Sequence, residues 1–275
     1  MNSPGTSTEQ WWFTSMLGNF FEYFADEVHI FLTVEEVFTF CSSPAAANLP
    51  GLTSLKSDPL DLTVFLRTEV TNGFPTVHMH SAVAMFAAWE SIMSEVLVGW
   101  LLKHPEIVQK QVFAKVRIKF VDYTAMEPRE RMRHLLSEVK RELPRSSSQF
   151  GTFKSLAAEC DLPFPDNESD RRNLLELCAV RNATVHHSGI ADSKFRAQAP
   201  WTNWKEGEKI RLSTDDVSRY GNAVMFFVGH LAVNLIASIG GLGLPSQDIF
   251  DGIRFPQPWR DPLVRMYQES ARKDS

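Results

Sequence analysis

The sequence contains few of the residues that define several common classes of protein. Its 275 residues include three cysteines, which form neither a C-x-x-C pair nor a disulfide framework. A glycine-rich phosphate loop, G-x-S-x-G and H-E-x-x-H are also absent. These absences leave no sequence motif for a zinc centre, a nucleotide-binding loop or a disulfide-rich secreted domain. They favour a reducing compartment.

Basic charge is scarce as well. The net charge of −5 and the isoelectric point near 5.9 argue against a protein that coats nucleic acid without specificity, although a small local basic site is still allowed. Near the N-terminus, no basic segment is followed by an apolar one, so we predict no secretory signal. We therefore predict a cytoplasmic protein.

One apolar run, residues 223–244, is about long enough to cross a membrane. His230 and Asn234 lie in its middle, and Gly240-Gly241 interrupts its end. Hydrophobic residues make up 44% of the chain and charged residues 22%, which is typical of a globular protein. We interpret the run as a buried core helix and expect no membrane association.

Helical spacing of apolar residues recurs through most of the chain. Between Ala82 and Trp100 such residues return every three or four positions, and Pro75 and Pro105 bound this segment. The pattern predicts a mainly α protein. We predict helices over residues 76–103, 106–121, 127–143, 150–160, 169–187 and 215–238.

The two ends of the chain are less regular. Residues 1–59 are predicted to form an N-terminal extension, with an aromatic-rich helix, an extended piece at 28–32 and a loop at 41–59. Residues 60–244 are predicted to form a helical-bundle domain, and 245–275 a tail. Short strands are predicted at 60–70 and 209–212.

The segment Arg181-Asn182-Ala183-Thr184-Val185-His186-His187-Ser188-Gly189 carries the clearest chemical signal. On a helix, Asn182 and His186 lie four residues apart on one stripe, which continues the apolar positions Leu175 and Cys178. Arg181 is offset by about 100°, but its long side chain can reach the same side. A buried arginine without a partner is costly, so this stripe must face either a carboxylate or a cleft that accepts an anion.

This segment resembles the R-x4-6-H signature of HEPN-domain ribonucleases of the RiboL-PSP type, in the variant with Asn directly after the Arg. The His-His pair, the Ser-Gly end and the order of helices across residues 76–238 fit the same pattern. The resemblance implies a HEPN-like bundle and a metal-independent endoribonuclease without cofactors, whose site forms across a homodimer. It also implies a role as a toxin or antiviral effector, with a neutralising antitoxin or regulatory partner.

Chemistry assigns roles to these residues. Cleavage of RNA by its own 2′-OH needs a base, an acid and a cation that stabilises charge on the phosphorane. Arg181 suits the cationic role, and His186 suits proton transfer because imidazole titrates near neutral pH. Asn182 would orient the histidine or hold a phosphate oxygen. His187 is the alternative histidine, and the resemblance makes Glu90 a further candidate.

Other interpretations stay open. A catalytically silent HEPN bundle could serve as a dimerisation or nucleotide-binding partner module. His78-Met79-His80 lacks the additional ligands of a metal site, so we predict a helix start with two surface histidines. The basic residues between Lys103 and Lys119 are interpreted as a solvated face in preference to an RNA-binding one.

Overall fold

The computed structural model describes residues 11–43, 62–117, 119–144, 146, 148–239 and 265. Within these residues the protein is mainly α, as predicted, and no β-strand is formed. Residues 44–61 and the tail 245–275, apart from Arg265, lie outside the described part. The described residues form the α-helices α1 (Trp11–Ser42), α2 (Leu62–Thr71), α3 (Pro75–Lys103), α4 (Gln111–Ala114), α5 (Phe120–Ala125), α6 (Pro128–Glu142), α7 (Gln149–Glu159), α8 (Glu168–His187), α9 (Ser193–Gln198) and α10 (Thr214–Ile239).

The predicted extended piece at 28–32 is wrong, because α1 continues through it. Phe24 and Phe31 are both buried, seven residues apart, so they continue one helical face from Leu17. The β-branched and aromatic residues at 28–32 suggested a strand, but the burial pattern follows the helical period.

Two further predictions need correction. The strand at 60–70 is wrong, since the described part of that segment is helix α2, with Leu66 and Glu69 buried three residues apart. The single helix at 106–121 is also wrong. It is broken into a 3₁₀ turn at Pro105–Gln109, then α4 and the start of α5. In the first two pieces only Ile107 and Phe113 are buried, which is too little apolar surface to hold one continuous helix.

The contacts of the chain divide it into two compact units. The first contains the described residues of Met1–Glu22, Ala87–Leu175 and Ala223–Ser275. The second contains those of Tyr23–Phe86 and Glu176–Asn222. Residues 181–189 therefore belong to the second unit.

The first unit has an aromatic core around Trp89, which is fully buried. The Trp89 ring stacks on Phe150 at 6.1 Å and meets the edges of Phe153 at 5.3 Å and Phe227 at 6.0 Å. Aromatic pairs in these geometries stabilise a core beyond the area they bury. This cluster joins α3, α7 and α10 within the unit.

The second unit is held together by a buried carboxylate on α8, Glu176, which is 2% exposed. It accepts hydrogen bonds from Tyr220 Oη at 2.7 Å, from Trp201 Nε1 at 2.6 Å and from Arg219 Nη2 at 2.8 Å. A carboxylate is stable at this depth because its partners replace the water that it loses. The network fixes α8 against the start of α10 and the 199–204 loop.

A second buried polar contact lies at the start of α3. His78 is 1% exposed, with Nδ1 2.7 Å from Leu212 O and Nε2 2.8 Å from a Glu35 oxygen. His80 is exposed. The prediction of two surface histidines is thus wrong for His78, whose two ring nitrogens both have protein partners.

Among the described helices, α3 has the length and apolar composition of a membrane span. In the window concerned, 61% of the residues are buried inside the protein, and core helices of globular domains meet the same criterion. Most apolar side chains of α10 between Ala223 and Leu235 are buried, in agreement with the predicted core helix.

Candidate functional site

The predicted motif helix is present as α8, a 20-residue helix. At its start Asn167 Oδ1 accepts hydrogen bonds from the backbone N–H groups of Ser169 at 2.9 Å and Asp170 at 3.2 Å, so Asn167 is the capping residue. At its end Gly189 has φ +77°, and its N–H donates to Ala183 O at 2.9 Å. The hydrogen bond spans six positions, so the N–H of Gly189 satisfies one of the otherwise unpaired carbonyls in the last turn of the helix.

The end of α8 includes one feature that the sequence analysis missed. Ser188, which precedes Gly189, also lies in the left-handed region, with φ +54°. L-residues pay about 1–2 kcal/mol for this conformation. The chain thus turns sharply immediately after His187, which fixes where the last turn of the helix stops.

The Arg181 guanidinium is held by two neighbours. Its Nη1 donates to Asn182 Oδ1 at 3.1 Å, and its Cζ lies 5.1 Å from the centroid of the Phe86 ring. The side chain is half-buried. Among the described residues, no carboxylate lies within ion-pair distance of it. The sequence predicted that this stripe faces either a carboxylate or a cleft that accepts an anion. The described residues do not provide the carboxylate.

The two histidines have different surroundings, although both are exposed. His187 Nε2 lies 3.3 Å from Asp192 Oδ2. Asp192 is itself fixed, because its Oδ1 accepts the Phe195 N–H at 2.7 Å and so caps α9. In the described part of the chain, His186 has no hydrogen-bond or ion-pair partner. His186 is therefore free to reorient, whereas His187 is held by a carboxylate.

The segment after α8 is fixed by backbone pairing with residues 207–210. Ile190 and Lys209 form an antiparallel bridge, Ile210 N–H donates to Gly189 O at 2.8 Å, and Ala191 N–H donates to Glu208 O at 2.9 Å. This isolated bridge replaces the strand predicted at 209–212. It holds the end of the motif helix in one place.

The structure places Glu90 in the first unit, where its Oε1 accepts a hydrogen bond from Gln149 Nε2 at 2.7 Å. Arg181, Asn182, His186 and His187 all belong to the second unit, on the last two turns of α8. The four motif residues are therefore brought together by one helix, and Glu90 belongs to a different polar contact.

Two residues that shape the site, Phe86 and Asp192, were not predicted from the sequence. Phe86 lies within the apolar pattern between Ala82 and Trp100, and nothing in its spacing indicates that a cation lies over its ring. Asp192 was detectable as a capping residue, since Asp before a short helical segment is a standard start signal. Its contact with His187 depends on the turn at residues 188–189.

Within the described part of the chain, no group of three or more His, Cys, Asp or Glu side chains is arranged to hold a metal ion. No protein-family model, curated protein or solved structure matches this chain. The assignment of function therefore rests on the chemistry and geometry of the residues themselves.

Proposed function

We propose that the protein is a metal-independent endoribonuclease of the HEPN type, acting in the cytoplasm as a toxin or antiviral effector. The observation that carries the proposal is the state of Arg181. Its guanidinium is half-buried, oriented by Asn182 and supported by Phe86, and no described carboxylate neutralises it. A cation held in this way is suited to bind a phosphate, because the planar guanidinium matches two phosphate oxygens.

The proposed reaction is an intramolecular transfer at phosphorus. A histidine removes the proton of the RNA 2′-OH, and the 2′-oxygen forms a bond to phosphorus while the bond from phosphorus to the 5′-oxygen breaks. An imidazolium protonates the departing 5′-oxygen. The products are a 2′,3′-cyclic phosphate and a free 5′-hydroxyl. Arg181 stabilises the negative charge that grows on the non-bridging oxygens.

The spacing on α8 supports a composite site formed by two protomers. His186 lies five positions after Arg181, which on an ideal helix is about 7.5 Å along the axis and about 140° around it. One helix therefore offers a single imidazole, set apart from the backbone position of its arginine. The reaction also requires both a base and an acid. A two-fold dimer that apposes two α8 helices supplies two guanidinium groups and two imidazoles.

His186 is the preferred proton-transfer residue. It shares a helical stripe with Asn182, and the described residues leave its ring nitrogens free to reach a substrate. His187 is already engaged by Asp192. We therefore treat the two histidines as separate test positions.

The test is an incubation of the full-length protein with total RNA in EDTA, beside Arg181→Ala, His186→Ala and His187→Ala. We expect cleavage by the wild type in EDTA, loss of at least about 100-fold in Arg181→Ala and His186→Ala, and a smaller effect in His187→Ala. Circular dichroism and unfolding curves show whether each variant is folded. If the wild type cleaves no RNA, the catalytically silent bundle is the correct interpretation.

A further inference from the structure

The segment that follows the Lys205–Glu208 turn shows alternating burial. Lys209 and Arg211 are exposed, whereas Ile210 and Leu212 are 1% and 3% exposed. Alternation of this kind is typical of an extended chain, in which every second side chain points to the same side. The two cations therefore lie on one outward side, about 6.6 Å apart along the chain for i and i+2.

Backbone hydrogen bonds attach this segment to the end of the motif helix. Ile210 N–H donates to Gly189 O, and Lys209 forms the bridge with Ile190, three residues beyond His187. Bridge partners present their side chains on the same face of the pair. The Lys209 side chain thus emerges beside Ile190, next to the last turn of α8.

The buried side of the segment is anchored as well. Leu212 O is the partner of His78 Nδ1 at 2.7 Å, and Ile210 and Leu212 pack in the core of the second unit. Cations on a fixed backbone lose less conformational freedom when they bind a ligand than cations on a free loop. The outward cations therefore have a defined position relative to His187.

The charges around the segment leave these two cations available. Neither Lys209 nor Arg211 forms an ion pair with a described residue. Acidic residues flank the segment in sequence on both sides, Glu206 and Glu208 before it and Asp215 and Asp216 after it. A Glu208 carboxylate oxygen accepts the Lys205 N–H at 2.9 Å, and the Asp216 carboxylate accepts from Ser213 and Arg219. In a protein of net charge −5, contacts with a polyanion depend on such local cations.

We propose that Lys209 and Arg211 form a second phosphate-binding element, which holds neighbouring phosphates of the RNA strand where it leaves the cleavage site. The inference rests on the proposed ribonuclease function and adds a path for the substrate. The spacing of the two side chains is similar to that of adjacent phosphates in an extended single strand. Such contacts confer affinity and register without sequence preference.

The test measures binding separately from cleavage. A fluorescent single-stranded RNA whose 2′-positions are all O-methylated cannot react, and it is made longer than a typical single-strand site of about 4–16 nucleotides. Its affinity is measured by anisotropy between about 50 and 200 mM salt. The test variant is Lys209→Gln/Arg211→Gln. The matched control is Lys194→Gln/Lys205→Gln, which removes the same charge from exposed positions of the same connection.

We expect the test variant to bind about tenfold more weakly at the lower salt concentrations. The slope of log affinity against log salt should become shallower by about 1.4, or 0.7 for each lost phosphate contact. The control should stay within about twofold of the wild type. On unmodified RNA the test variant should raise KM and leave kcat unchanged.

Two outcomes overturn the inference: an equal loss in both variants, which indicates general charge attraction, and no loss in the test variant. These results are distinguishable from failure of the proposed function. A wild type that binds methylated RNA through Lys209 and Arg211 but never cleaves unmodified RNA refutes the ribonuclease and not the binding element. Normal cleavage with no role for these two residues refutes only the binding element.

Discussion

The buried carboxylate of Glu176 should be the most sensitive polar position in the second unit. Oε1 accepts from Tyr220 Oη at 2.7 Å and Arg219 Nη2 at 2.8 Å, and Oε2 accepts from Trp201 Nε1 at 2.6 Å. Glu176→Gln keeps the shape of the side chain but removes its charge. It also replaces one acceptor by an N–H₂ group that faces the donors.

The expected loss can be worked out from this geometry. Removal of one partner from a buried ion pair costs about 3–5 kcal/mol. Arg219 is 37% exposed and keeps Asp216 at 2.9 Å, so its charge is not left without a partner. We therefore expect the lower end, about 3 kcal/mol of the free energy of unfolding. That is a large part of the roughly 5–15 kcal/mol typical of a folded protein.

Equilibrium urea denaturation, followed by tryptophan fluorescence, measures this loss. The matched control is Glu206→Gln, an exposed position on the 205–208 turn, which should change the free energy of unfolding by less than about 0.5 kcal/mol. If Glu176→Gln is as stable as this control, the network does not hold α8, and the reasoning is wrong.

Three further predictions concern the same unit. Ser188→Gly should raise the free energy of unfolding by about 0.5–1 kcal/mol in urea denaturation, because glycine adopts φ +54° without the steric cost. An unchanged free energy of unfolding would contradict the left-handed turn. Burial, and then the charge of Glu176, raise the pKa of Tyr220, so the folded state favours the neutral phenol. The contribution of Tyr220 to the free energy of unfolding should therefore be fully present below pH ~10 and should fall above that pH by up to about 1.4 kcal/mol per pH unit. In Tyr220→Phe the free energy of unfolding should fall less steeply over the same pH range. Phe86→Leu should lower kcat/KM for RNA about two- to fivefold, since it removes a cation–π contact with Arg181 worth about 0.5–1 kcal/mol. An unchanged kcat/KM would show that the ring does not support the guanidinium.

Helices α3, α8 and α10 were predictable because their apolar residues repeat at helical spacing and their ends carry clear signals. Helix α3 begins at Pro75 and is followed by Pro105, and its buried residues include Phe86 and Trp89 at the expected positions. The end of α8 was predictable from Gly189. Local chemistry was sufficient in each of these cases.

The wrong predictions at residues 28–32 and 60–70 share one physical cause. Residues 28–32 and 62–71 are rich in β-branched and aromatic side chains, which suit strands by local preference. Both segments are nevertheless helical, and the buried side chains among their described residues, Phe31 in the first and Leu66 and Glu69 in the second, anchor them to the second unit. Local preference is a weak guide wherever tertiary packing decides.

Most of the contacts at the candidate site were beyond sequence analysis for a related reason. The residues Arg181, Asn182, His186 and His187 could be selected because they are neighbours on one helix. The Phe86 ring beneath Arg181 is supplied by a helix 95 residues earlier in the numbering, so no local pattern indicates the pairing. The distant partners of Glu176 and His78 were missed in the same way.

The chemistry of the cut ends tests the central claim most directly. An otherwise deoxy oligonucleotide that contains a single ribonucleotide is incubated with the wild-type protein in EDTA, and the products are identified by mass spectrometry. We predict one cut, on the 3′ side of the ribonucleotide, with a 2′,3′-cyclic phosphate on one product and a 5′-hydroxyl on the other. A 5′-phosphate, or cleavage between deoxynucleotides, would contradict attack by the 2′-OH and with it the proposed roles of Arg181 and His186.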